Sequence, residues 1–175
     1  MQLGLSLLAC KTDNATLFYN NKYSTHMSKY NVYGIGAEKG LMTLVDEDRQ
    51  QEIIHHLQNQ LSTSKRASGG SAANTIIALS AFGGKAFYSC RVANDADGEF
   101  YLHDLDNAGV KFNSNSALTD GLTGKCLVLI TPDAERSMNT YLGVSETFSI
   151  ENLDSEAIKQ SEYLYIEGYL VSSDT

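Results

Sequence analysis

From residue 30 onward, short apolar runs alternate with stretches in which apolar residues recur every three or four positions, the pattern of strands interleaved with helices. Tyr30–Ile35 (YNVYGI) reads as a buried strand ending at Gly34 and Gly36. Asp46 is placed to cap a helix running to about Leu61, with Ile53, Ile54, Leu57 and Leu61 at helical spacing. Ser62–Ser68 is polar, carries Lys65 and Arg66, and reads as a loop. Ala72–Phe82 is small and apolar almost throughout, which predicts a helix covered on most sides and stopped by Gly83-Gly84. Ala86–Val92 predicts a strand, and Asp97 opens a second amphipathic helix that ends before Gly109. Lys125–Thr131 and Ser137–Leu142 predict two strands joined by the turn Pro132-Asp133-Ala134-Glu135. Asp154–Ser161 predicts a short helix and Glu162–Tyr169 a further strand. The alternation implies an α/β fold, and a sheet of these strands would keep an exposed edge, as a piece of a larger domain does.

Composition narrows the function classes. A chain of 175 residues with 42% apolar and 19% charged residues can bury a core. Thirteen Lys and Arg against 21 Asp and Glu give a net charge of −8 with no basic cluster, which argues against nucleic-acid binding. Cys10, Cys90 and Cys126 lie far apart with no CxxC, so neither a disulfide framework nor structural zinc is expected, and a cytoplasmic location is. No apolar run approaches the roughly 20 residues that a membrane helix requires. Leu7-Leu8-Ala9-Cys10 resembles a lipoprotein cleavage site, but no Lys or Arg precedes it, so export is not expected. Residues 1–26 differ in character from the rest of the chain, and Met27 is a candidate start. Residues 1–29 are therefore set apart as an N-terminal extension of uncertain origin, and residues 30–175 as the domain.

Most chemical motifs fail on spacing. Gly34-x-Gly36 has Lys39 where a dinucleotide fingerprint needs its third glycine. Gly124-Lys125 and Gly84-Lys85 lack the first glycine of a P-loop, with Thr119 and Leu79 in its place. Asn94-Asp95-Ala96-Asp97-Gly98 would put Ala93 at the first position of a calcium loop, so it reads as a solvated turn before a helix. His55 and His56 are adjacent on a helix and cannot share an ion as an i, i+4 pair would. Cys90 and Cys126 read as small core residues. No metal site is expected.

Ser68-Gly69-Gly70-Ser71-Ala72-Ala73-Asn74-Thr75 remains. A glycine pair directly before a helix lets backbone approach a ligand, because no Cβ intervenes. The first helical turn presents N–H groups and a positive dipole end to a hydroxyl or an anionic oxygen. Asn74 adds a donor and an acceptor, as polyol recognition needs. The same residues are equally consistent with an N-cap by Ser68 or Ser71 and tight helix packing.

In combination, Gly69-Gly70-Ser71-Ala72-Ala73-Asn74, Gly83-Gly84, Arg91–Phe100 (RVANDADGEF), Asp104–Val110, Gly121–Gly124, Thr131–Thr140 and Tyr165–Tyr169 resemble the PfkB/ribokinase carbohydrate kinase family, in its adenosine-kinase-like bacterial form. The likeness covers about Tyr30 to Thr175. It implies a ribokinase-like three-layer α/β/α sandwich with a small β-lid, here truncated. It also implies ATP- and Mg²⁺-dependent phosphoryl transfer to a hydroxymethyl group of a sugar or nucleoside. Gly69, Gly70 and Asn74 would then contact acceptor hydroxyls, and Arg136 would lie near the transferring phosphate and stabilise its charge. Arg136 reads equally as a surface charge beside a turn. Lys111–Gly124 is polar enough to be a lid segment or a surface loop, and the resemblance allows a homodimer through lid strands. Ile76 and Ala93 depart from common family residues without disqualifying the match.

Two departures weigh more. Gly36-Ala37 runs straight into Glu38-Lys39, where relatives carry about 20 further residues and an acceptor-binding Asp, so residues are expected to be missing between Ala37 and Glu38. Asp46 belongs to the later segment and does not take that role. The family's GAGD-type turn, with its anion hole and general base, is expected beyond residue 175, leaving this chain inactive by itself. The competing readings are a non-catalytic module of ribokinase-like fold that binds a polyol or nucleoside, and an unrelated α/β enzyme with no cleft beside Gly69–Asn74.

Overall fold

The computed structural model describes residues 16–19, 38–57, 65–130 and 135–167. Five strands form the main sheet: β1 (Thr16–Tyr19), β2 (Met42–Leu44), β3 (Lys65–Ser68), β8 (Thr123–Ile130) and β9 (Arg136–Gly143). Their order is β2-β9-β8-β1-β3. The β8–β9 pair is an antiparallel hairpin running from Thr123↔Gly143 at its base to Ile130↔Arg136 at its tip. Helix α1 (Glu47–Leu57) lies beside β9, capped as expected by Asp46 Oδ1, which accepts from Arg49 N at 2.8 Å. Buried Gln50 donates from Nε2 to Lys125 O at 3.0 Å and Asn139 O at 3.1 Å, tying α1 to both strands of the hairpin.

The remaining elements pack as helices against two short parallel ladders. These are α2 (Ser71–Ala81), β4 (Ala86–Tyr88), β5 (Val92–Ala93), α3 (Ala96–Asn107), β6 (Val110–Phe112), α4 (Ser114–Ala117) and β7 (Leu118–Thr119), followed downstream by α5 (Ser155–Gln160). Strand β4 pairs with β6 and β5 with β7. Ala72, Ala73 and Ile76 of α2 meet Tyr88, Val92, Tyr101, Leu105 and Val110 in one buried cluster. Alanines on α2 let the two large, fully buried tyrosines fit against its backbone. The end of α2 closes as predicted: Gly83 N donates to Ser80 O and Gly84 N to Leu79 O, satisfying the last carbonyls.

Several expectations need correction. Residues 65–68 are not a loop but edge strand β3, because pairing with β1 satisfies their backbone whatever the side chains are. Strand β1 lies within the N-terminal stretch expected to be an extension, and it sits in the sheet between β8 and β3. The predicted Ala86–Val92 strand is broken at Ser89–Arg91, since its halves find different partners. There Arg91 donates to Thr147 O at 2.9 Å, Asn152 Oδ1 at 3.3 Å and Thr119 Oγ1 at 3.2 Å. Asp95, not Asp97, caps α3, accepting from Gly98 N at 2.7 Å; Asp97 pairs instead with Lys125 at 2.8 Å. Lys111–Gly124 is not a plain surface loop: it passes through β6, α4 and β7 into β8, with Ala117 and Thr123 buried. Among residues 162–167 only Glu162 makes a bridge, and Leu164 and Ile166 stay exposed. Helix α2 is covered on one side only, leaving Leu79 and Phe82 exposed. Strand Tyr30–Ile35, the Ala37–Glu38 junction and the 131–134 turn lie outside the described residues.

Gly98 in the first turn of α3 marks a tight approach, for a Cβ there would stand 2.1 Å from Ala93 O and 2.9 Å from Thr123 Oγ1. Gly98→Ala should therefore destabilise the chain by at least about 2 kcal/mol despite its better helix propensity, read as a lower urea midpoint. Burial alone would raise the pKa of Asp95, but hydrogen bonds from Thr123 Oγ1, Thr123 N and Gly98 N, with the Lys125 charge, bring it below the ordinary carboxylate value. A lowered native pKa contributes stability above the unfolded pKa of about 4, lost as pH falls through the native value. Acid titration of the urea midpoint should show that loss, and Asp95→Ala should remove it.

Candidate functional site

The approach to α2 is built without side chains. Gly69 is buried, and its carbonyl accepts from Tyr101 Oη at 3.4 Å. Gly70 is the residue before the first turn, at φ 108° and ψ 137°, a conformation essentially reserved for glycine. Its carbonyl accepts from Asn74 N at 2.8 Å, and no side chain caps the helix. Neither Ser68 nor Ser71 is the cap. Ser68 Oγ is buried with no partner among the described residues, while its N–H donates to Asp104 Oδ2 at 3.2 Å. Asn74 is exposed one turn into α2. The helix mouth is thus bare backbone at the positive end of a dipole, with one amide side chain beside it.

A carboxylate comes to that mouth from far along the chain. Ser71 Oγ donates to Glu167 Oε2, and Tyr165 Oη donates to Glu167 Oε1 at 2.9 Å. Sequence reasoning missed Glu167 as a site residue. Its signal was an acid directly after the apolar run Tyr163–Ile166. Beside the mouth a groove of about 950 Å³ opens along α2, lined by Thr75, Ile76, Leu79, Lys85, Lys111 and Tyr165 among others. It begins one residue past Asn74, so Gly69, Gly70 and Asn74 flank it rather than line it.

Arg136 is not brought to this place. It is exposed at the first position of β9 and pairs with Ile130 at the hairpin tip. Ser68 is level, through β1, with Lys125 on β8. Arg136 therefore stands five residue steps, roughly 17 Å, further along the strand direction than the start of the mouth. Cys90 is fully enclosed and burial pushes its thiol up to about 12, so it is no nucleophile at neutral pH. Cys126 is buried and accepts from Thr140 Oγ1.

The hydrogen bond from Tyr165 to Glu167 holds the phenol proton, raising the Tyr165 pKa above the usual tyrosine value; a bond with Thr75 opposes this more weakly. Tyr165 should accordingly ionise at higher pH than a free tyrosine, and Glu167→Gln should bring it down. Ultraviolet difference titration against Tyr165→Phe isolates this one phenol among the ten tyrosines.

The pfkB family carbohydrate kinase model matches residues 41–175. The chain is similar to adenosine kinase from Sinorhizobium meliloti, at 30% identity and a TM-score of 0.77, with 98% of this chain covering 49% of that structure. It is likewise similar to a probable sugar kinase from Rhizobium etli CFN 42, at 28% identity and a TM-score of 0.76, covering 98% of this chain and 48% of that one. A curated relative, 5-dehydro-2-deoxygluconokinase from Clostridium beijerinckii, is 28% identical over 113 residues, which are 63% of this chain and 33% of that protein. The chain thus spans about half the length of the solved structures and a third of the curated relative. The α/β architecture expected from its sequence is ribokinase-like, and the chain belongs to the pfkB family of carbohydrate kinases.

Proposed function

We propose that the whole protein transfers a phosphoryl group from ATP to a hydroxymethyl group of a sugar or nucleoside, and that the mouth of α2 is where the acceptor sits. The observation that carries this reading is the Glu167 carboxylate on Ser71, at the unshielded start of the helix. An oxygen-rich group is already favoured there by the helix dipole, and a polyol offers the same oxygens. Backbone at Gly69 and Gly70 approaches the acceptor without a Cβ, Asn74 donates to one hydroxyl and accepts from its neighbour, and Glu167 accepts a third hydroxyl proton. These residues bind and orient. Phosphoryl transfer is catalysed mostly by such positioning together with charge stabilisation, the role proposed for Arg136 once hairpin and mouth are brought together.

ATP supplies the phosphoryl group in this reading, and none of the described residues is assigned to it. Among the described residues no three His, Cys, Asp or Glu side chains are grouped to hold an ion, and none of them is assigned to Mg²⁺. Among them too, no helix is long and apolar enough to cross a membrane. A homodimer through lid strands belongs to the same reading, and edge strand β2, on which Met42 and Leu44 are exposed, leaves one edge of the five-stranded sheet open to such pairing.

The test is calorimetric titration of the complete reading frame with adenosine and a panel of sugars, followed by ATP turnover with whichever binds. One of them should bind and be phosphorylated, and Asn74→Ala should weaken that binding about tenfold through loss of its hydrogen bonds. The 175-residue chain alone should not turn over ATP. Binding without turnover by the complete protein would instead favour the non-catalytic module, and no binding at all would end the proposal.

A further inference from the structure

Helix α3 holds two parts of the molecule at once. Its first turn grips the base of the β8–β9 hairpin. Asp95 Oδ1 accepts from Gly98 N at 2.7 Å and from Thr123 Oγ1 at 2.6 Å, while Oδ2 accepts from Thr123 N at 2.9 Å. Thr123 is fully buried, and its Oγ1 accepts in turn from Ala93 N at 3.0 Å. Two residues on, Lys125 reaches Asp97 of the same helical turn at 2.8 Å. Further along α3, Tyr101 bonds the Gly69 carbonyl and Asp104 the Ser68 N–H. One helix of 12 residues therefore carries both the hairpin base and the lead into the α2 mouth.

The hairpin projects from that base. From Thr123↔Gly143 to Ile130↔Arg136 is seven residue steps, roughly 23 Å. A rotation of about 5° at the base moves the tip by roughly 2 Å over that length. Helix α1 does not restrain such a rotation toward α3, because Gln50 ties it to the hairpin itself. The sheet's link to α2 through β3 and the pair Gly69-Gly70 is itself held to α3, by Asp104 at Ser68 and Tyr101 at Gly69. Stiffness at the base then comes from the contacts made by Asp95, supported by Lys125–Asp97 and by the segment after β9, where Ser145 Oγ donates to Arg91 O at 3.4 Å and Thr147 O accepts from Arg91.

We propose that the Asp95 carboxylate is a positioning group: by docking Thr123 on the first turn of α3 it sets the direction of the β8–β9 hairpin, and so where Arg136 stands relative to the Gly69-Gly70 mouth. Its geometric consequence is independent of what the protein does; its consequence for turnover rests on the kinase reading. The carboxylate is needed because it accepts three hydrogen bonds on two oxygens. Asparagine would still cap the helix through its one oxygen, but its NH₂ would then face an N–H donor. Asp95→Asn therefore separates docking from capping.

The test places spin labels on Leu41→Cys, beside the hairpin tip where Leu41 O accepts from Met138 N, and on exposed Ala78→Cys of α2, in a Cys10→Ser background. Electron-resonance distances should give one narrow distribution in the parent. Asp95→Asn and Thr123→Val should each shift or broaden it, Thr123→Ser should restore it, and the core change Ile76→Val should leave it as in the parent. Parental distributions in both docking variants, even with lowered unfolding midpoints, would reduce Asp95 to a helix cap and overturn the proposal. Should Asp95→Asn fail to fold, Thr123→Val decides, since it keeps the capping carboxylate. In the complete protein, Asp95→Asn should lower kcat about a hundredfold with the acceptor KM within about twofold, as misplacement of a remote charge does. An unchanged kcat overturns the catalytic consequence. Absence of turnover in the parent counts against the kinase reading alone, and the distances still judge the docking.

Discussion

Much of the arrangement hangs on the contact between the first turn of α3 and the base of the β8–β9 hairpin. Asp95 lies at a helix N-terminus, where backbone N–H groups lack intrahelical partners and a negative charge is favoured. It satisfies one of those donors and two donors from Thr123, on a strand of the five-stranded sheet. Local capping and long-range docking thus use the same carboxylate. Gly98 makes the approach sterically feasible, since any side chain there would meet the Ala93 carbonyl. This patch couples sheet and helices together with the Asp104–Ser68 bond at β3 and the Gln50 bonds from α1.

The mouth of α2 follows a different logic. Polar side chains usually cap helices, yet here Gly70 occupies that position at a φ few other residues adopt, and no side chain caps the first turn. Beneath it, Ala72 and Ala73 are packed tightly against the tyrosine-rich core, which fixes the direction of the mouth. A firm base under an unshielded backbone is the arrangement suited to grasping oxygen atoms, and the Glu167 carboxylate finds it from 96 residues away in sequence. The family match supplies the chemical context for that feature, while strand register sets Arg136 far from the mouth.

Elements with strong local signals stand where their patterns indicate. Asp46 and Asp154 cap helices, Gly83-Gly84 ends α2, and the two strands around Pro132 pair as a hairpin. The misreadings share one cause, which is that strand formation depends on a partner. Lys65–Ser68 reads as a loop because its side chains are polar, but β1 offers it a ladder. Glu162–Tyr169 reads as a strand because it is apolar, but residues 163–167 have no ladder among the described residues. Either acid, Asp95 or Asp97, suits a helix start, and only Thr123 and Lys125, brought in from elsewhere, tell their roles apart.

Read as a linear string, the chain was sufficient to establish its α/β class, the Asp46 cap of α1, the glycine stop of α2 and the glycine-opened mouth, along with the family those motifs resemble. Each of these depends on residues close in sequence, whose propensities and backbone freedom are local properties. Folding in three dimensions was needed to bring Glu167 to Ser71, to lock Thr123 onto Asp95, and to set Arg136 at the far end of a hairpin. Those are contacts between residues far apart along the chain, and hydrogen-bond partners and strand register are chosen by packing rather than by neighbouring residues.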